Sequence, residues 1–242
     1  MFRVFLKETN SFFDSLIAYV VIIFFLLGLG LLTWVFPDSS VISYGFADLQ
    51  VLFSLGPYVM IFLVPAVTMR VFSEEQKNGT LELLFTKPLT DYQIIGGKFL
   101  SSFFVVLLSI LPTLFYYYSI YQLSLPTGNV DSAGILGSYL GFILLSASFV
   151  SIGTFSSSIT ENQVIAFVMA AFFCFLIYEG IHSMAQIVSS GSIADLIDKL
   201  GILYHYEWLS KGVVDSSNLV YMLGITLVFL GLTKLVLESR KW

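Results

Sequence analysis

Six long apolar runs with almost no charged residues constrain this chain more than any other feature of its sequence. The first, Leu16 to Val35, is uncharged and long enough to cross ~30 Å of hydrocarbon as a helix rising about 1.5 Å per residue. Only 11% of the 242 residues are charged, whereas soluble domains average about 25%. Because too few polar groups remain to cover a water-facing surface, we predict an all-α, polytopic protein in a lipid bilayer.

The polar stretches between the runs predict the order of elements in a single membrane domain, residues 1–242. Before the first run, Phe2, Phe5 and Leu6 alternate with polar residues at helical spacing, which is typical of an interfacial helix. The full prediction is an interfacial helix at 1–15, six spans at 16–36, 51–71, 99–121, 135–159, 164–178 and 219–237, a polar segment at 72–98, and an outer amphipathic segment at 179–218.

Prolines and small residues indicate how the spans pack. Pro57 and Pro65 fall inside the second run, where they predict kinks that neighbouring helices tolerate. Gly137 and Gly141 form a small-xxx-small pair that lets another helix approach the fourth helix closely. The many serines of that helix are compatible with packing or with lining a pathway, and the sequence leaves both open.

Basic residues are distributed unequally between the two sides of the predicted membrane. With the N-terminus inside, nine bases fall on the cytoplasmic side and two on the outer side, a distribution that places both termini in the cytoplasm of an inner-membrane protein. Lys98 and Lys234 lie near helix ends, where we expect them to snorkel to the interface. The inner bases are Arg3, Lys7, Arg70, Lys77, Lys87, Lys98, Lys234, Arg240 and Lys241, and the outer ones are Lys199 and Lys211.

The interiors of the spans lack the groups that several classes of membrane protein need. No ionisable residue is predicted near mid-membrane, which disfavours ion-coupled carriers, proton pumps and membrane enzymes. One cysteine, Cys174, and two distant histidines provide no adequate zinc or iron ligand set. The chain has no G-x-x-x-x-G-K-[ST] motif, and Gly96-Gly97-Lys98 lacks the upstream glycine, so we do not expect it to hydrolyse ATP itself.

The segment 72–98 carries the strongest motif. Gly79 permits a sharp turn, Thr80 is suited to cap the helix that follows, and Glu82 lies in its first turn near the positive dipole end. A solvated acidic loop is the simpler interpretation, but the combined spacing resembles the cytoplasmic signature of ABC-2 type transporter permeases. The matching positions are Glu74, Glu75, Gly79, Thr80, Glu82, Leu84, Thr86 and Pro88, and Glu161 lies in the turn Ser157–Gln163 that resembles a second family segment.

The resemblance implies that residues 72–98, hereafter the coupling segment, dock against a separate ABC ATPase. ATP and magnesium would then be bound by that partner, with no cofactor in this chain and no nucleic acid involved. Three further stretches, 46–49, 62–70 and 96–98, resemble the gliding-motility-associated permeases of Bacteroidetes. That likeness implies a second gliding-motility membrane subunit or another permease copy as partner. The alternative is a membrane scaffold or mechanotransmitter that moves no solute.

Overall fold

A computed structural model of the chain describes residues 1–45, 47–86, 88–188 and 191–240. These residues form fourteen α-helices and no β-strand, which confirms the predicted all-α class. Predictions that involve Phe46, Lys87 or Lys241 lie outside the described residues. The helices are α1 Phe2–Asp14, α2 Leu16–Gly30, α3 Val41–Tyr44, α4 Gln50–Thr68, α5 Ser73–Lys77, α6 Leu81–Phe85, α7 Asp91–Ile110, α8 Leu114–Leu123, α9 Ser132–Ile159, α10 Gln163–Phe175, α11 Ile181–Ile187, α12 Gly191–Asp198, α13 Ile202–Ser210 and α14 Ser216–Ser239.

The six predicted membrane spans are confirmed among the described residues. Each corresponds to a helical stretch long and apolar enough to cross a bilayer. A 3-10 turn joins two helices within the third stretch and a π turn joins two within the fifth, while a π turn ends the first. The six stretches are Ala18–Val35, Gln50–Lys77, Asp91–Leu123, Ser132–Ile159, Gln163–Ile187 and Ser216–Ser239.

Two spans extend well beyond their apolar runs. The third begins at Asp91, eight residues before the predicted start at Phe99, and the side-chain oxygen of Gln93 accepts a hydrogen bond from the Thr90 N–H there. The fifth continues through a π turn as far as Ile187 instead of ending at Tyr178. Polar residues can continue a helix beyond the apolar run that marks its membrane-crossing part, so helix ends and apolar ends need not coincide.

Helix α9 is the centre of the bundle, and the last span lies at its periphery. In the most apolar part of α9, 72% of the residues are buried, compared with 17% in α14. Helix α9 contacts α4, α7, α10, α13 and α14. Between its two ends, the exposed large side chains of α14, such as Leu223, Leu227 and Leu235, are apolar, as a helix facing lipid requires.

Glycines on α9 allow this close packing. A Cβ added at Gly141 would lie 2.5 Å from the Cβ of Leu209, and one at Gly137 would lie 2.8 Å from the carbonyl oxygen of Gly212. The predicted close approach at this pair of glycines is therefore present. Its partner is α13 and the turn that follows it, rather than another spanning helix.

The serines of α9 pack within the bundle. Ser146, Ser151 and Ser156 are buried, and each donates a hydrogen bond to a carbonyl three or four residues earlier in the helix. Ser148 also reaches the Met222 carbonyl of α14 at 3.2 Å. Because their hydroxyls are satisfied inside protein, these serines favour the packing interpretation over the pathway-lining one.

Helix α4 continues through both of its prolines. Pro57 has no N–H, so the carbonyl of Phe53, four residues earlier, lacks its normal helical donor. The buried hydroxyl of Tyr206 donates to that carbonyl at 2.7 Å. A side chain of α13 thus replaces the missing backbone bond.

The predicted outer amphipathic segment contains α12 and α13, which differ in burial. Helix α12 buries none of its described residues, and Ile193 and Leu196 are exposed. Helix α13 instead buries Ile202, Tyr206 and Leu209 against the bundle. Only α13 is therefore part of the core.

Helix α1 lies across the start of α7, as an amphipathic helix can. Val4 and Phe12 are buried against the bundle, whereas Phe2 and Leu6 remain exposed. A Cβ added at Gly97 would lie 2.8 Å from the Cβ of Val4, so the two helices touch almost backbone to backbone. This contact gives the Gly96–Gly97 pair a packing role.

Candidate functional site

One end of the bundle brings together the segments that were predicted from the sequence to be cytoplasmic. We call it the terminal end: it comprises α1, residues 69–86 and 88–98, the turn 160–162 and the last turn of α14. Arg240 beyond α14 donates to the carbonyl of Ile159 at 2.7 Å, and Arg70 donates to Ser15 Oγ at 3.0 Å. The coupling segment and Glu161 therefore lie at the same end as α1 and the last turn of α14.

Ser157 of α9 holds the base of the coupling segment. Its Oγ accepts hydrogen bonds from the N–H groups of Phe72 at 3.0 Å and Ser73 at 3.1 Å, and it donates to the carbonyl of Met69 at 3.0 Å. Backbone groups where one helix ends and another starts need such partners. A single buried hydroxyl of α9 therefore fixes the bend between α4 and α5.

A second link connects α5 to the turn that carries Glu161. The side-chain amide of Gln76 donates to the carbonyl of Ser158 at 2.8 Å, close to the end of α9. Glu161 itself is exposed in the turn between α9 and α10. The predicted family segment 157–163 thus contributes its serines to the site as well as its acid.

The turn between α5 and α6 is made by Gly79. Its φ of +65° lies in the left-handed region that favours glycine, in agreement with the sharp turn expected there. The predicted helix cap by Thr80 is not formed: its hydroxyl donates back to the carbonyl of Glu75 at 3.3 Å. Its backbone is already helical at φ −89°, ψ −7°, which is unlike the extended geometry of a capping residue. Glu82 lies in the first turn of α6, as expected.

The predicted site residues divide into an exposed group and one partly buried member. The carboxylate side chain of Glu75 is only 15% exposed and points toward α1 and α7. The others are accessible to a partner at the surface of the terminal end. They are Glu74, Gly79, Thr80, Glu82, Thr86, Pro88 and Glu161.

Glu75 belongs to an ion network that the sequence did not reveal. Its two carboxylate oxygens contact Lys98 Nζ at 3.0 Å and Lys7 Nζ at 3.1 Å. Glu8 completes the network, with one oxygen 3.2 Å from Lys98 Nζ and 3.3 Å from Lys7 Nζ. Two cations and two anions thus balance across α1, α5 and α7, and we refer to these four residues as the ion network.

Lys98 corrects an expectation drawn from the sequence. Its side chain is 1% exposed, so it does not snorkel to the interface. Its ammonium also donates to the Val71 carbonyl at 2.6 Å and lies 5.2 Å from the centre of the Phe72 ring. The reason is that α1 covers the position where the side chain would otherwise reach water. Lys234 remains partly exposed, pairing with Glu238 at 3.2 Å.

Lys7 closes the exposed side of the ion network. Partial burial disfavours its charged form, but the carboxylates of Glu8 and Glu75 outweigh that effect and raise its pKa above the ordinary value. Lys7 therefore stays charged at neutral pH. The sequence analysis did not identify Lys7, Glu8 and Lys98 as site residues, because they meet only when α1 packs over Gly97. The one sequence signal for this network was the adjacent pair of opposite charges, Lys7 and Glu8, on an amphipathic helix.

The opposite end of the bundle contains a cavity of about 1220 Å³. Its ion pairs among the described residues, His182–Asp198 and Lys211–Glu207, are isolated ones. His205 there contacts the side chain of Asn218 at 2.8 Å and the carbonyl of Lys199 at 3.0 Å. No group of three or more potential metal-binding side chains occurs in the described part of the chain. The cavity is lined by Asp38, Asp48, Phe53, Asp131, Ile135 and Lys211, among others.

Comparison with known families agrees with this architecture. Residues 37–234 match the family described as ABC-2 family transporter protein. This range covers most of the chain, including the coupling segment, the second to fifth spans and most of the sixth. No curated protein matches the chain significantly.

The chain therefore belongs to the ABC-2 transporter family. It is a multi-pass transmembrane permease subunit of an ABC transporter, a non-catalytic component that works with an ABC ATPase in a lipid bilayer. The matched range begins at residue 37, so α1, with Lys7 and Glu8 of the ion network, precedes it.

Proposed function

We propose that this subunit transmits the motion of a separate ATPase through the coupling segment to its spans. ATP and magnesium are bound by the partner, and the terminal end faces the cytoplasm of an inner membrane. The excess of basic residues on that side of the predicted topology supports this orientation.

One observation carries the proposal: the coupling segment is accessible at its tip and firmly bonded at its base. Gly79 and Glu82 are exposed, where a docking protein can contact them. At the base, Ser157 and Gln76 attach the segment to α9, and Lys98 attaches it to α7. A push on the tip therefore displaces helices that cross the membrane, as a rigid-body shift requires.

We further propose a role in gliding motility, together with a second gliding-motility membrane subunit or a permease copy. The support is the sequence likeness at 62–70 and 96–98. Reconstituting the complex separates this role from a scaffold that moves no solute. Stimulation of ATPase activity by a defined solute indicates transport, whereas stimulation only by the partner membrane protein indicates a scaffold.

Charge reversal at the exposed tip tests the coupling role. We expect Glu74→Lys/Glu82→Lys to reduce permease-dependent ATPase activity at least about tenfold, because two lost or reversed contacts of about 0.7 kcal/mol each correspond to that factor. The measurement is the ATPase rate of the co-purified complex in lipid vesicles.

A matched control shows whether the effect depends on where the charges are reversed or only on the change in net charge. Asp14→Lys/Glu238→Lys makes the same change of charge at the same end, on an exposed and a partly exposed residue outside the coupling segment. We expect it to retain the parental rate. If the coupling-segment variant also bound the ATPase and retained its rate, the proposed docking role would be wrong.

A further inference from the structure

The buried ammonium of Lys98 holds together parts of the chain that are far apart in sequence. It donates a hydrogen bond to the carbonyl of Val71 at 2.6 Å and forms ion pairs with Glu75 Oε2 at 3.0 Å and Glu8 Oε1 at 3.2 Å. They belong to the bend after α4, to α5 and to α1, while Lys98 itself is on α7. The charge of the ammonium is therefore paired with carboxylates on two different helices.

This arrangement resists independent movement of any one element. If α1 or α5 shifted alone, Lys98, whose side chain is 1% exposed, would lose one of its carboxylate partners. A buried charge that loses its partner is strongly unfavourable, because water cannot replace the lost contact. The close contact of Val4 with Gly97 leaves α1 no space to move toward α7 instead.

We propose that Lys98 is the positioning residue that makes α1 move together with the coupling segment. A displacement of α5 then reaches α1 and α7 at once, so that a helix outside the docking segment takes part in transmission. This inference rests on the proposed function and extends it to α1. Since Lys7 and Glu8 precede the range matched by the family, the link is drawn from the contacts of this chain alone.

A charge-balanced variant separates transmission from simple structural support. Lys98→Met/Glu75→Gln removes one positive and one negative charge and leaves Lys7 and Glu8 paired at 3.3 Å. Its charge balance is preserved, but the ionic link from α5 to α1 and α7 is gone. The matched control is Lys234→Met/Glu238→Gln, which removes an ion pair at the same end that does not involve α1 or α5.

The measurement is the movement of α1 in the intact complex with its ATPase. Spin labels are attached to cysteines replacing Asn10 on α1, Asn78 after α5 and Ser239 at the end of α14, all exposed positions, in a Cys174→Ala background. Distances between pairs of labels are measured by pulsed electron paramagnetic resonance in lipid vesicles, first without nucleotide and then after trapping with MgATP and vanadate. Labelled parents must retain their ATPase activity.

In the parent, we expect trapping to change the 10–239 and 78–239 distances and to leave the 10–78 distance constant. In Lys98→Met/Glu75→Gln, the change in 78–239 should persist while the change in 10–239 is lost. Lys234→Met/Glu238→Gln should behave like the parent.

Three outcomes overturn the inference, and they differ in what else they affect. If the 10–239 change survives in Lys98→Met/Glu75→Gln, α1 moves without the ionic link and Lys98 is only structural. If it is also lost in the control, the effect is not specific to this network. If the parent shows no 78–239 change, the coupling segment does not move, and the proposed function fails along with the inference.

Discussion

The terminal end and the opposite end of the bundle are held together by different kinds of contact. At the terminal end, the ion network joins α1, α5 and α7, and Ser157 and Arg240 bond backbone groups of other helices. At the opposite end, Tyr178 packs edge-on against Phe149 and Tyr58, with ring centres 5.9 and 5.8 Å apart.

The difference teaches where each end can tolerate movement. Charged and backbone contacts are directional, so at the terminal end each helix has one preferred position relative to its neighbours. Aromatic packing depends on area and shape and responds mainly to added or removed volume. Substitutions should therefore reveal a charge-sensitive end and a volume-sensitive end, and the following experiments test that contrast.

The largest expected effect comes from breaking the ion network on one side only. Lys98→Met leaves the Val71 carbonyl without its donor and two carboxylates with Lys7 alone. Removing one partner of a buried ion pair costs about 3–5 kcal/mol. We expect that loss in the free energy of unfolding, measured in detergent micelles.

The control for this loss is Lys234→Met, which breaks a more exposed pair with Glu238. Such pairs contribute about 0–1 kcal/mol. Equal effects of the two substitutions would show that burial by α1 does not strengthen the network.

The membrane spans could be predicted from the sequence because the thickness of the bilayer sets their length and composition. A span must be about 20 apolar residues long, so runs such as Leu16 to Val35 predict helices directly. The turn at Gly79 was predictable because few other residues adopt a positive φ.

The burial of Lys98 was not predictable in the same way. It depends on α1 crossing α7 at Gly97, a contact between residues more than ninety positions apart. The bond from Tyr206 to the Phe53 carbonyl likewise joins residues 153 positions apart. Hydrophobic periodicity reports local structure and is silent on such pairings.

Alanine substitutions at two glycines of positive φ, one at each end, test how each end responds to added volume. A Cβ at Gly212 would lie 2.4 Å from the Cα of Gly134, whereas one at Gly79 would meet no atom within 4 Å. Both have positive φ, which costs an alanine about 1–2 kcal/mol. Overpacking adds about 1–3 kcal/mol at Gly212 alone.

We therefore expect Gly212→Ala to destabilise the protein by about 3 kcal/mol and Gly79→Ala by about 1 kcal/mol. Thermal unfolding in the same detergent compares the two. A larger loss at Gly79 would contradict the idea that the opposite end is the volume-sensitive one. Gly224→Ala, in a helix with open space around it, should be neutral or slightly stabilising.

A smaller effect is expected from one hydroxyl at the opposite end. Tyr206→Phe keeps the ring but leaves the Phe53 carbonyl without a donor next to Pro57. An unsatisfied buried acceptor costs about 1–3 kcal/mol. Tyr118→Phe, on an exposed tyrosine, is the control. If both substitutions were equally neutral in unfolding assays, the carbonyl would have another donor, such as water.

The smallest expected effect lies at the exposed edge of the ion network. The pKa of Lys7 is raised above its ordinary value of 10.5 by Glu8 and Glu75, despite the opposing effect of partial burial. The contribution of the Lys7 charge to the free energy of unfolding is therefore fully present below pH 10.5. It is lost as the pH rises through the higher pKa that Lys7 has in the folded state.

Lys7→Met should accordingly lower the free energy of unfolding by less than about 1 kcal/mol at neutral pH. The reason is that the ammonium of Lys7 is exposed, so that salt screens its ion pairs with Glu8 and Glu75. The difference from the parent should stay constant through neutral pH and disappear in strongly alkaline buffer. Lys211→Met at the opposite end, where Nζ lies 3.7 Å from Glu207, should cost still less. If the Lys7→Met difference grew with pH instead, the charge of Lys7 would be destabilising, and the terminal end would owe its rigidity to α1 packing rather than to its ions.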